Sequence, residues 1–145
     1  ISLEAKLNYH NYMIYVILSD GECDEGSNWE AALFAAHHKL DNLVVIIDRN
    51  NLQSIKSTED TLALEPLEDK WASFGWSTKV VDGHNLKELI EVLDKKNIIS
   101  NKPKCIIANT IKGKGVSFME NNNLWHYRSP KGKEFNDALL ELSKS

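Results

Sequence analysis

The chain reads as an α/β domain with a mostly parallel sheet flanked by helices. Three observations predict it. Four short apolar runs recur along the chain, Met13 to Leu18, Leu43 to Ile47, Trp76 to Val81 and Cys105 to Asn109, with amphipathic stretches between them. The first two are continuous rather than alternating, the pattern of strands covered on both faces. Turn residues close the first and third, as Ser19-Asp20-Gly21 and Asp82-Gly83.

Each element has a local reason. Met13 to Leu18 predicts a buried strand running into its turn. Ser27 and Glu30 have the spacing of a capping box, and the helix they open is expected to turn Trp29, Leu33, Ala36 and Leu40 inward. Leu43 to Ile47 predicts a second buried strand. The polar stretch from Asn50 to Thr61 reads as an irregular surface loop. Pro66 suits the first turn of a helix with Leu67, Trp71 and Phe74 inward, and Gly75 suits its C-terminal cap. After the third strand, Asn85 and Glu88 cap a helix bearing Leu86, Leu89, Ile90 and Leu93. After the fourth, a long loop carries Gly113, Gly115 and His126. A closing amphipathic helix carries Phe135, Ala138, Leu139 and Leu142.

Composition narrows the function. A length of 145 residues suits one domain of ordinary size, and 42% hydrophobic residues suffice for a core, which argues against disorder. The net charge of −4, without a long basic run, argues against nucleic acid and anionic membrane surfaces as partners. A diphosphate ligand stays compatible with it, because backbone N–H groups and a bound cation dominate such sites. Cys23 and Cys105 have neither metal nor redox spacing, so a reducing, cytoplasmic setting is expected. No apolar run is long enough to span a bilayer, and no secretory leader is visible. A chain opening at Ile1 rather than Met is expected to lack upstream sequence.

Asp20 and Asn50 each follow an apolar run, and ligands of open α/β sheets bind beyond the carboxyl ends of strands. If the two strands are neighbours, the side chains converge. An Asp carboxylate, an Asn amide oxygen and a backbone carbonyl form a suitable protein share of a magnesium shell completed by phosphate and water. Gly21 lets the backbone approach a phosphate. Taken singly, Ser-Asp-Gly is an ordinary turn and Asp48-Arg49-Asn50-Asn51 an ordinary solvated loop.

The segment from Ser19 to Gln53, together with Leu62 to Lys70, Phe74-Gly75-Trp76, Asp82-Gly83-His84 and Thr110 to Glu120, resembles the N-terminal, thiamine-diphosphate-binding subunit of split bacterial transketolases. The resemblance covers nearly the whole chain. It implies a thiamine-diphosphate-binding fold, incomplete at its N-terminus, with residues 1–145 forming a single partial domain. It implies that Asp20 and Asn50 bind Mg2+ (or Ca2+) through side chains and Leu52 through its carbonyl, with Gly21 against the diphosphate. Glu25 matches a residue at the subunit contact near the cofactor. His126 matches a loop histidine that reaches toward cofactor and donor sugar, the candidate catalytic residue; without the resemblance it reads as a surface histidine. The implied activity is two-carbon ketol transfer from a ketose phosphate to an aldose. The implied partner is a transketolase C-terminal, pyrimidine-binding subunit or domain within a homo- or hetero-oligomer.

The chain departs from the family pattern at three places, one of them the upstream part of the cofactor module, which the family carries before the segment that opens here at Ile1. Ser19 stands where the family has Gly, and Ser54-Ile55-Lys56-Ser57 replaces Ile-Asp-Gly after Leu-Gln. If position 19 requires a positive φ, a serine costs roughly 1 kcal/mol. A sheet lacking its opening units is expected to expose an apolar edge or face. A truncated or degenerate interaction protein that keeps the fold without catalysis is therefore the alternative reading.

Overall fold

A computed structural model describes residues 1–144 of the chain. Helix α1 (Ser2–Leu7) precedes strand β1 (Ile14–Ser19), a 3-10 turn (Asp20–Asp24) and helix α2 (Gly26–His37). Strand β2 (Leu43–Arg49) leads through the short helix α3 (Thr58–Thr61) to α4 (Leu67–Ser73) and strand β3 (Ser77–Asp82). Helix α5 (Leu86–Leu93), strand β4 (Lys104–Asn109) and helix α6 (Lys133–Leu142) follow. The strands form one sheet in the order β1-β2-β4-β3, and every pairing is parallel. Parallel pairing requires crossovers, and the helices supply them. The fold is thus the predicted parallel sheet flanked by helices.

The register sets up the site. Ser19 lies beside Asp48, Arg49 beside Asn109, and Asp82 beside Asn109. All four strands therefore end together, and the turns after them share one edge of the sheet.

The two faces are packed differently. On one, α2 and α4 bring Ala32, Ala35, Leu67 and Trp71 against Val45, Ile47, Cys105 and Ile107. Trp71 stands edge-on to Trp76, with ring centroids 4.8 Å apart, and Trp29 packs on Trp71 and Phe74. On the other, Val92 of α5 packs on Val44, Val81, Ile106 and Ala108. At roughly 25 cal/mol per Å² of apolar surface removed from water, the large buried side chains Trp71, Ile47, Leu67 and Ile106 dominate the core.

Several expected details differ. β1 is an edge strand rather than a buried one, and Tyr15, Val16 and Ile17 are exposed. Tyr15 and Ile17 register with Val44 and Ile46 on the face that α5 covers, but α5 packs on β3 at the far side of the sheet. In α2 the inward face is Ala32 and Ala35 with Trp29, and Leu33 is 57% exposed, because a residue one step from Ala32 points about 100° away. Leu40 is buried, but beyond the end of the helix.

Ser27 does not cap α2. The helix begins at Gly26, its N-cap is Glu25 without a side-chain bond, and the capping box forms earlier, between Ser19 and Glu22. Pro66 is the N-cap of α4 rather than within its first turn, and Gly75 takes the expected positive φ of 93°. Asn85 caps α5 as predicted, accepting the Glu88 N–H at 3.3 Å. Only the Leu89, Val92 and Leu93 side of α5 meets the sheet, so Leu86 and Ile90 are exposed. In α6, Ala138 is buried while Phe135, Leu139 and Leu142 stay about half exposed. That helix is held by Glu141, which accepts from the Ser117 N–H and hydroxyl.

Candidate functional site

The turns after β1 and β2 meet at Asp20. Asp20 opens the 3-10 turn and is 1% exposed. Its Oδ1 accepts the Gly21 N–H at 2.9 Å. Its Oδ2 accepts the Asn51 N–H at 2.7 Å and lies 3.3 Å from Nη1 of Arg49. Burial pushes the Asp20 carboxyl above its ordinary pKa, while the Asn51 N–H and the Arg49 guanidinium pull it back. The two turns are joined by the Asn51 N–H, which reaches Asp20, while the Asn50 side chain is bonded to the Leu52 N–H of its own loop.

Ser19 is accommodated without strain. Its φ of −73° is extended backbone, so no glycine is required there. The side chain is used: Oγ accepts the Glu22 N–H at 3.3 Å, and Glu22 Oε2 accepts the Ser19 N–H at 2.7 Å. Reciprocal capping of this kind satisfies two N–H groups at the start of the turn that carries Asp20.

The second turn is shaped by Asn50 and Asn51. Asn51 takes a φ of 65°, a conformation asparagine tolerates better than most residues, and this aims its N–H at Asp20. Asn50 Oδ1 accepts the Leu52 N–H at 3.1 Å. Leu52 then bridges Ser57 in antiparallel fashion. The bridge's hydrogen bonds are made by the flanking residues, Gln53 N–H to Lys56 and Thr58 N–H to Asn51. The Leu52 carbonyl is thereby left outside the bridge's bonding. The altered 54–57 segment supports that loop instead of opening it.

The donor set fits a hard cation. Asp20 offers one carboxylate, Asn50 an amide oxygen and Leu52 a carbonyl, all oxygen ligands of the kind Mg2+ takes beside phosphate and water. Among the described residues, no group of three or more His, Cys, Asp or Glu side chains could hold a metal. The donor set of Asp20, Asn50 and Leu52 carries a single carboxylate, so a cation held by it would keep positive charge for an anionic ligand. Gly21 is packed closely: a Cβ there would lie 3.3 Å from Cγ of Gln53. Gln53 in turn donates to Asp24 Oδ2 at 2.8 Å, while Asp24 Oδ1 is buried without a hydrogen-bond partner.

Two predicted residues stand apart. Glu25 is exposed, and its side chain makes no cap bond. His126 is exposed at the end of a 3-10 turn (Asn123–His126), its ring edge-on to Tyr127 at 4.6 Å. Among the described residues, neither side chain is tied to Asp20.

Sequence reasoning missed Arg49. It is 3% exposed and donates to Asp20, to Thr58 Oγ1 at 2.5 Å, and to Glu59 and Glu65 at 2.9 Å each. The signal was available: Val45, Ile47 and Arg49 alternate along β2, so Arg49 continues the core face. The Leu67 N–H and then Arg49 hold the Glu65 carboxyl below its ordinary range. Also missed was how the loop after β4 is pinned. Thr110 donates to Asp48 at the end of β2, and the Ile111 N–H donates to His84 Nε2 at 2.8 Å after β3.

A parallel α/β sheet whose acid and amide turns are joined at its carboxyl edge is the architecture of a domain that binds its ligand beyond the strand ends. The family described as transketolase, thiamine diphosphate binding domain matches residues 4–138, and the chain belongs to that family. An apulose-4-phosphate transketolase subunit of Actinobacillus succinogenes is 44% identical over 142 residues, covering 98% of this chain and 51% of that protein. A 6-deoxy-6-sulfo-D-fructose transketolase subunit of a Clostridium species is 40% identical over 144 residues, covering 99% of this chain and 52% of that protein. The chain thus spans about half the length of these relatives. Among solved structures, transketolase from Campylobacter jejuni aligns with a TM-score of 0.76 at 28% identity, covering 85% of this chain and 20% of that one. Transketolase from Pichia stipitis with sedoheptulose-7-phosphate aligns at 0.86 and 23% identity, covering 98% and 22%, a likeness of fold.

Proposed function

We propose that this chain anchors the diphosphate of thiamine diphosphate through Mg2+ (or Ca2+), as the N-terminal part of a split transketolase. Asp20 and Asn50 bind the cation through side-chain oxygens and Leu52 through its carbonyl. Gly21 lets the backbone lie against the diphosphate. The observation that carries this reading is the Asn51-to-Asp20 hydrogen bond, which unites the two turns within a chain matched by the family over residues 4–138.

The activity follows as part of the same proposal: two-carbon ketol transfer from a ketose phosphate to an aldose, within carbohydrate metabolism. When bound, the cofactor supplies the carbanion chemistry that splits the ketose. The residues of this chain contribute position: a buried carboxylate and a braced loop hold the diphosphate end still, which lowers the entropic part of the barrier. His126 is assigned to the donor sugar, and Glu25 to the contact with a second subunit. The partner is a transketolase C-terminal, pyrimidine-binding subunit or domain in a dimer or higher homo- or hetero-oligomer. The setting is cytoplasmic, and residues 1–145 act as one partial domain. The relatives named as subunits support a two-chain arrangement.

Calorimetry of thiamine diphosphate with and without Mg2+, on the unmodified chain and on Asp20→Ala, tests the anchor. Mg2+-dependent binding lost in the variant is expected. One observation favours a second reading, a non-catalytic interaction protein: Asp20 is already paired with Arg49. Absence of binding both alone and with an added C-terminal subunit would favour that reading.

A further inference from the structure

Arg49 ends β2 as a charge on an apolar face, and its guanidinium is held from several sides. Thr58 Oγ1 accepts from Nη1, Glu59 and Glu65 accept from Nη2, and Glu65 also takes Nε at 3.3 Å. A planar donor fork gripped by Thr58 and Glu59 of α3 and by Glu65 before α4 has little freedom to swing away. Its remaining contact is Asp20 Oδ2.

That contact decides which Asp20 oxygen is open. A carboxylate oxygen accepts along two lone-pair directions. On Oδ2 both are taken, by the Asn51 N–H at 2.7 Å and Arg49 at 3.3 Å. On Oδ1 one is taken, by the Gly21 N–H. A cation that binds Asp20 therefore meets Oδ1 alone. One-oxygen binding suits Mg2+, which demands an octahedron of single donors. Ca2+ accepts more ligands and often binds both oxygens of a carboxylate.

We propose that Arg49 is a positioning residue that restricts Asp20 to one-oxygen coordination and so tunes the cofactor-diphosphate site toward Mg2+ over Ca2+. The inference rests on the anchoring function proposed above. Arg49 touches neither cation nor cofactor; it acts by occupying Oδ2. Glu59 and Glu65 balance its charge, so the cation does not face a bare guanidinium beside its ligand.

The test is the ratio of thiamine diphosphate affinities measured with Mg2+ and with Ca2+ in the unmodified chain, Arg49→Gln and Arg49→Lys. Freeing Oδ2 is expected to move the ratio toward Ca2+ on the order of fivefold in Arg49→Gln, with a smaller move in Arg49→Lys. Lysine keeps the charge but cannot hold Asp20, Thr58 and Glu65 together. General loosening of the fold would weaken binding with both cations alike and leave the ratio in place. Thermal melting without cation identifies which variants fold. Glu65→Gln, at a half-exposed carboxylate, releases one side of the guanidinium without altering the core, and is expected to move the ratio the same way by roughly twofold. A ratio that stays constant in the folded Arg49 variants overturns the proposal, as does a constant ratio in Glu65→Gln should neither Arg49 variant fold. An unmodified chain that binds thiamine diphosphate with neither cation overturns the anchoring reading itself, and the role of Arg49 falls with it.

Discussion

The Asn51 N–H donates to Asp20 Oδ2 at 2.7 Å, so the turn after β1 and the turn after β2 behave as one unit. Asn51 reaches this position through a φ of 65°, and Asp20 receives it while 1% exposed. A buried carboxylate is tolerated only with its hydrogen bonds made, and here backbone and Arg49 make them. The geometry of the candidate site is thus also a stability element.

Replacing Asp20 should therefore have two separable effects. Asp20→Ala is expected to destabilise the chain by about 1–3 kcal/mol in denaturant unfolding, because the N–H groups of Gly21 and Asn51 lose their acceptor. Asp20→Asn, which keeps an oxygen and the volume, should cost less. Both should abolish Mg2+-dependent thiamine diphosphate binding by calorimetry. Retention of that binding in both would remove Asp20 from the site.

Ser19 contributes through its cap rather than its backbone. Ser19→Ala should destabilise by about 1 kcal/mol, and Ser19→Gly by only a few tenths. Since φ is already −73°, restoring glycine should leave cofactor affinity unchanged. A gain in affinity in Ser19→Gly would mean that the turn is strained after all.

Two glycines should respond oppositely to alanine. Gly113 has a φ of 76°, and a Cβ there would sit 2.6 Å from the Met119 carbonyl oxygen. Gly113→Ala should destabilise by roughly 1–3 kcal/mol. Gly26 opens α2, and a methyl group added there would meet nothing within 4 Å, so Gly26→Ala should be neutral or stabilising by roughly 0.5 kcal/mol. Equal melting temperatures for the two variants would contradict this packing.

The cysteines give a pH dependence. Burial pushes the Cys23 thiol up to about 12, and Cys105 is raised further by burial. Both thiols stay protonated in the folded chain after those of the unfolded chain have begun to ionise, near pH ~8.5. The unfolded state then holds fewer protons, so this contribution to stability is complete below about pH 8.5 and declines as pH rises toward 12. Cys23→Ala with Cys105→Ala should flatten that alkaline decline. In the unmodified chain, labelling by a thiol reagent should proceed only at the rate of opening. Rapid labelling under native conditions would show that the core is more accessible than the packing implies.

Much of the architecture was legible because it depends on short-range patterns. Continuous apolar runs mark strands of a covered sheet, Asn85 and Gly75 mark helix ends, and the order of acid and amide turns marks the edge where a ligand would sit. Local sequence by itself determined these, together with the resemblance that the family match bears out. What only the tertiary structure decided is which apolar positions find a neighbour. β1 has the composition of a buried strand, yet its place at the end of the order β1-β2-β4-β3 leaves Tyr15 and Ile17 uncovered. Leu33 and Ile90 have core chemistry but lie on helix sides turned away from the sheet and stay mostly exposed. Arg49 is the reverse case, a cation whose burial is stable only because Asp20 from the turn after β1, Thr58 and Glu59 of α3 and Glu65 before α4 fold back to receive its donors. Periodicity reports what a residue could pack against; strand order and the approach of acceptors settle what it does, because burial of apolar surface and satisfaction of a buried charge are properties of the assembled neighbours.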